Sequence, residues 1–289
     1  MATPAIRSGY GFVAPALILL IAMNIFPLLY SIYLSFTNAE LTGGELAGVG
    51  GRNYDIVFRA SKFADALRTT AAFVGSAVGI ELVLGFTLAL ALHGPFRGKP
   101  VILTLLLVPM MLPQAVMGLY WKLLLNGNYG IVNQILGALH LGQPQWITDP
   151  QLKFFSILVI DVWMWTPFMM LIGLASLNAI PAYIYEAAAI DRASRWRVFR
   201  RITLPMCLPL LGLAVLLRAT DALKQFDLVM SVTGPNDAAT QTLSALLFQV
   251  VFRDGRVGLG AAYSYVVLVV VIALASIFIR HLNASSGRR

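Results

Sequence analysis

The stretch 178-NAIPAYIYEAAAIDRASRWRVFRRITLP-205 lies between two apolar runs, roughly 154–177 and 205–227. Pro181 suits the first turn of a helix, where a backbone amide would lack an intrahelical partner anyway. Glu186-Ala187-Ala188-Ala189 is strongly helix-forming. Ser194 can cap a second short helix. In that helix Trp196, Phe199 and Ile202 fall three apart, on one face, with Arg195, Arg197, Arg200 and Arg201 around them. Pro205 then opens the next apolar run. The stretch reads as a helix–turn–helix at a membrane surface, joining two helices that cross the bilayer.

The rest of the chain supports a membrane reading. Of 289 residues, 58% are hydrophobic and 12% charged, and the mean hydropathy is +0.78. Soluble domains carry about twice that share of charge. Six apolar segments are long enough to span, or nearly so: about 11–36, 69–92, 100–125, 154–177, 205–227 and 261–280. The first is too long and lacks the cleavage site of a signal peptide, so it reads as a retained helix. Pro109, Pro113 and Pro209 are expected to kink their helices, which membrane helices tolerate. The expected fold is therefore an all-α membrane protein with six transmembrane helices and a cytoplasmic helical loop. No internal repeat is visible, so residues 1–289 read as one transmembrane domain.

Charge sets the orientation. The N-terminus, the turn 93–99, the loop 178–204 and the C-terminus hold Arg7, Arg97, Lys99, Arg192, Arg195, Arg197, Arg200, Arg201, Arg280, Arg288 and Arg289, against Glu186 and Asp191. The opposite loops hold seven charges of each sign. An excess of Lys and Arg marks the cytoplasmic side, so both termini are expected inside. Trp146 fits either an interfacial anchor or surface packing. The basic residues lie between apolar runs without a base-stacking aromatic pattern, which argues against nucleic acid as a partner.

The segment Glu186-Ala187-Ala188, with Asp191, Ala193, Phe199 and Ile202-Thr203-Leu204-Pro205, resembles the EAA loop of binding-protein-dependent ABC permeases. The resemblance implies a coupling loop over 178–204, in which Glu186, Ala187, Ala188, Asp191, Arg192 and Ala193 dock in a cleft of a cytoplasmic ATPase subunit. It departs at Arg192, where the family usually has glycine for a left-handed turn. Either arginine adopts that turn, at roughly 1 kcal/mol, or the first helix runs on. From the residues alone, a surface helix holding anionic lipid is the alternative.

Tyr30–Phe36 after Pro27, Asn53-Tyr54 with Phe58, Phe226-Asp227, Thr233-Gly234-Pro235 and Thr240–Leu243 resemble the carbohydrate-uptake branch, in particular its maltose- or glycerol-3-phosphate-type first permease. The Gly-Gly-Pro run usual there is shortened to Gly234-Pro235. The resemblance implies a multi-pass protein of a prokaryotic inner membrane. It implies a second, related permease as heterodimer partner, two ATPase subunits that use ATP and Mg, and an extracytoplasmic sugar-binding protein.

Polar residues inside spans are candidates for a solute pathway. Asp161, Trp165 and Phe168 share one face of the fourth span, and Arg218, Asp221 and Gln225 share one face of the fifth. Aromatic rings beside carboxylate and amide groups suit a sugar. The competing reading is structural, with Arg218 and Asp221 paired to hold the bundle. Glu81 and Gln114, mid-span, either line the pathway, bond between helices or face the partner permease.

No catalytic set is visible and no phosphate-binding glycine loop with lysine, so the chain is expected to be no enzyme and to bind no cofactor itself. His93, His140 and His281 have no metal-ligand spacing. Cys207 lies in an apolar run and reads as a buried small residue. The rival is a stand-alone secondary transporter or channel for a small polar solute. It predicts paired inverted repeats, which the sequence does not display.

Overall fold

The computed structural model describes residues 5–286. Arg288 and Arg289, counted above for the cytoplasmic side, lie outside the described residues. In chain order the helices are α1 (Ala5–Ser35), α2 (Arg52–Arg59), α3 (Ser61–Leu92), α4 (Lys99–Leu107), α5 (Gln114–Leu124), α6 (Ile131–Ala138) and α7 (Pro150–Asn178). There follow α8 (Ala182–Ile190), α9 (Arg195–Val198), α10 (Leu204–Ala222), α11 (Asp227–Val232), α12 (Leu243–Phe248) and α13 (Val257–Ser286). The one β feature among the described residues is a bridge between Thr37 and Gly48. The all-α membrane architecture is as expected.

Among the described residues, five helical segments are long and apolar enough to cross a membrane: Val13–Ser35, Ser61–Leu92, Pro150–Asn178, Arg195–Ala222 and Val257–Ser276. The sixth expected span, 100–125, is not one kinked helix. It breaks into α4, a short 3-10 turn over Pro109–Met111, and α5. Leu112, which precedes Pro113, sits in extended conformation at φ −91° and ψ 142°. The proline ring disfavours helical backbone in the residue before it. Two prolines four residues apart thus end one helix and start another. Pro209, by contrast, stays inside α10 without ending it.

A second difference lies before α10. The second helix of the surface loop is not separate but runs into α10 through a π turn over Phe199–Thr203, where the Leu204 amide reaches back to the Phe199 carbonyl. Pro205 has no amide hydrogen and its ring crowds the preceding turn, a usual cause of such a widening.

The chain forms two compact units. One comprises the chain up to Phe63 with Leu247–Val269, the other Ala64–Leu246 with the chain from Val270 on. In the first unit the long loop after α1 is fixed by Asn53, whose Nδ2 donates to the carbonyls of Ser35 and Thr37 at 2.9 Å each. The Gly258 amide donates to the Ala39 carbonyl at 2.9 Å.

In the second unit α7 is the central helix, with fourteen of its 29 residues buried. It is started by Asp149, whose side chain accepts from the Gln151 amide at 2.7 Å, ahead of Pro150. Gly85 on α3 and Gly173 on α7 let these two helices close up. A Cβ on Gly85 would stand 2.5 Å from Met169 Cβ, and one on Gly173 2.8 Å from Ala89 Cβ. Membrane helices pack through small residues in this way. Trp146 packs against the core and donates to Asn133 Oδ1 at 2.8 Å, so its surroundings are protein on the indole side. Cys207 is fully buried.

Candidate functional site

Close packing of α3 on α7 brings Glu81, one turn before Gly85, towards Asp161. Arg218 of α10 joins them. Its Nε donates to Glu81 Oε2 at 3.0 Å and its Nη2 to Glu81 Oε1 at 3.1 Å, a two-pronged pair. Nη2 also donates to Asp161 Oδ2. Gln225, just beyond α10, donates to Asp161 Oδ1 at 3.1 Å, and Thr242 holds the Gln225 carbonyl at 2.7 Å. Glu81 and Asp161 are fully buried, Arg218 2% exposed and Gln225 4%.

The cluster therefore ties α3, α7 and α10 together. Removing one partner from a buried ion pair costs about 3–5 kcal/mol because the other charge is left without compensation. The structure brings Asp161 of one expected trio together with Arg218 and Gln225 of the other, and the main partner of Arg218 is Glu81, not Asp221. Asp221 stands 3.5 Å from Arg218 Nη1 and its side chain is 53% exposed. Trp165 and Phe168 are half-buried and meet edge to face at 6.3 Å. The Arg218 guanidinium lies 4.9 Å over the Trp165 ring. The Trp165 indole N–H is buried and has no hydrogen-bond partner among the described residues. Gln114 begins α5 and is half-buried. Beside the cluster, Asp221 is exposed and Trp165 and Phe168 keep part of their surface uncovered.

The second candidate is the loop between α7 and α10. Pro181 caps α8. Ala188 is buried, while Glu186, Ala187, Asp191 and Arg192 are exposed and Ala193 is half-buried. The helix ends in a Schellman turn, with the Ala193 amide on the Ala188 carbonyl at 3.0 Å and the Arg192 amide on the Ala189 carbonyl at 3.1 Å. Arg192 has φ +53°. The chain thus keeps the left-handed turn despite lacking glycine, at about 1–2 kcal/mol of strain. Ser194 then caps α9 by accepting from the Arg197 amide at 3.4 Å.

Tyr185 and Thr203 share a hydrogen bond of 3.1 Å that ties α8 to the π turn. Phe199 packs on the core beside Phe86 and stacks on Trp196 at 5.6 Å, so the aromatic face is only partly a surface face. Trp196 stays 67% exposed, Tyr183 68% and Ile190 82%. A groove of about 430 Å³ runs between the two arms, lined by residues that include Ala187, Ala188, Asp191 and Ala193. Small side chains, a shallow groove and exposed apolar rims make a surface suited to a protein partner.

Residues 81–287 match the family described as binding-protein-dependent transport system inner membrane component. The chain belongs to this family. It is 34% identical over 274 residues to the trehalose/maltose transport system permease protein MalF of Thermococcus litoralis, covering 95% of this chain and 93% of that one. It is 33% identical to the trehalose transport system permease protein SugA of Mycobacterium tuberculosis, covering 97% and 90%. It is 32% identical to the sulfoquinovosyl glycerol transport system permease protein SmoG of Agrobacterium fabrum, covering 92% and 87%. Among solved structures, a bacterial ABC transporter involved in import of the acidic polysaccharide alginate shares the fold, with TM-score 0.85, 19% identity, and coverage of 95% and 94%. A second, the alginate transporter with its pentasaccharide-bound periplasmic protein, gives TM-score 0.81, with 19% identity and coverage of 93% and 91%. The chain is thus a multi-pass permease component of an ABC importer.

The sequence did not reveal the half-buried pair of Lys153 and Asp237, 2.5 Å apart and 84 positions distant in the chain. No local pattern links such positions. The only signal was that each is a charge near an apolar run.

Proposed function

We propose that this permease is one half of the membrane channel of an ATP-driven carbohydrate importer. Named relatives that carry trehalose, maltose and a sulfoquinovosyl glycerol support a carbohydrate or related polyol as the solute. A second permease completes the pathway, and two ATPase subunits use ATP and Mg to drive it. An extracytoplasmic binding protein delivers the solute, as a structural neighbour solved with its periplasmic protein suggests. Both termini face the cytoplasm in this arrangement.

The observation that carries the reading is the loop 178–204. Glu186 and Ala187 stand exposed on a short helix, Ala188 seats that helix, and Tyr185 locks it to α10 through Thr203. A push on α8 by a docked ATPase is thereby delivered to α10 as rigid-body movement. Because α10 carries Arg218, the same movement reaches the buried cluster and the neighbouring Asp221, Trp165 and Phe168. We assign those last three to solute contact, and Glu81, Asp161, Arg218 and Gln225 to holding the helices that present them.

The test is uptake of labelled trehalose, maltose and other carbohydrates by a host lacking this chain. Restoring the native chain restores ATP-dependent uptake of at least one of them, and Glu186→Lys inserts normally but does not. Uptake that survives ATP depletion and follows an ion gradient would instead point to a stand-alone secondary transporter.

A further inference from the structure

We propose that Arg192 is a charge-selecting contact of the coupling loop, its guanidinium pairing with an acidic group in the docking groove of the ATPase. The inference rests on the reading of this loop as the ATPase-docking element and adds the residue that discriminates among partners.

Arg192 sits at the tip between α8 and α9, at φ +53°. A glycine would close the same two Schellman hydrogen bonds without a Cβ in conflict with the backbone. His140 ends α6 in a comparable turn at φ +57°, but histidine is one of the residue types enriched in that region of backbone space. Arginine is not. Among the described residues the Arg192 side chain does nothing to offset that strain. The Arg192 side chain is exposed and makes no hydrogen bond or ion pair with the described residues. An outlier of this kind points outward, to a contact the turn exists to present.

The surroundings indicate the sign of that contact. Arg195, Arg197, Arg200 and Arg201 are all exposed beside Arg192, against two carboxylates, Glu186 and Asp191. The surface complementary to this arginine-bearing end of the loop is acidic, whereas Glu186 on the other arm calls for a basic group. An anionic lipid surface would also attract these arginines. It is fluid, however, and four unstrained arginines already serve it. A left-handed turn fixes where the Arg192 side chain leaves the loop tip, and a folded partner with a carboxylate there can hold its guanidinium. Guanidinium–carboxylate pairs at interfaces set partner choice and register in this manner.

The experiment purifies the assembled transporter from native membranes and follows release of the ATPase on dilution, for the native chain, Arg192→Gly, Arg192→Gln and Arg192→Glu. Thermal melting of each permease in detergent is measured in parallel. Arg192→Gly should melt at or above the native temperature, since it removes strain, yet release the ATPase about tenfold faster. Arg192→Gln should release it comparably, and Arg192→Glu faster still. Retention by Arg192→Gly equal to the native chain overturns the proposal. So does equal retention in native lipid combined with loss for every chain when anionic lipid is stripped, which would make lipid the partner. A lower melting temperature for Arg192→Gly would refute the strain on which the inference stands. If the native chain itself brings no ATPase, the docking reading fails instead, so the two failures are separable.

Discussion

At the scale of single residues, the buried cluster has opposite consequences for groups that the sequence could not tell apart. Arg218 compensates two fully buried carboxylates, Glu81 and Asp161. Arg218→Met should lower permease stability by about 3–5 kcal/mol, read as thermal melting in detergent. Adding Glu81→Gln and Asp161→Asn should recover most of that loss, because no unpaired charge then remains. Failure of the triple variant to recover would mean that packing, not charge, holds the site. Asp221→Asn, at an exposed position, should leave stability within about 0.5 kcal/mol. It should instead raise the solute concentration needed for half-maximal uptake, and unchanged uptake would remove Asp221 from the pathway. The helical spacing of Arg218, Asp221 and Gln225 was readable in the sequence. That Arg218 prefers Glu81, 137 positions away, was not, because the choice depends on how closely α3 and α7 approach.

At the scale of elements, that approach depends on Gly85 and Gly173. Gly85→Leu should force α3 from α7, since even a Cβ there meets Met169 Cβ at 2.5 Å and the Met170 backbone nitrogen at 2.8 Å. Overpacking of this kind costs about 1–3 kcal/mol. The variant should show faster amide exchange along both helices and a lower melting temperature. Normal protection at both would show that the helices adjust without loss. The five long helices α1, α3, α7, α10 and α13 were legible from apolar length alone. The break at Pro109–Pro113 was read as a kink, because local pattern shows that proline disrupts a helix but not whether neighbours restore it. The run of α9 into α10 was hidden for the same reason. Ser194 and Pro205 both signal boundaries, and only one of them became one. At Arg192 the sequence posed two alternatives, a strained turn or a longer helix, and the backbone adopts the turn.

For the whole molecule, composition carried the argument furthest. A chain with 12% charge cannot cover itself with water-facing surface, and the match to the permease family bears out the transport reading. Partners are another matter. Nearly every side chain along residues 13–34 of α1 is exposed. A cleft of about 810 Å³ in the second unit, walled by Ile80, Leu84, Trp163 and other apolar side chains, is equally bare. Such surfaces require lipid or a second permease, and one chain's sequence does not distinguish the two. The central claim is that the loop 178–204 couples this permease to an ATPase. Its most direct test is co-purification from native membranes in mild detergent, using the tagged native chain and Glu186→Lys. The account predicts that an ATPase subunit accompanies the native chain and is lost from the variant, while the variant remains folded and inserted. Recovery of the native chain without an ATPase, or full retention by Glu186→Lys with normal uptake, would contradict it.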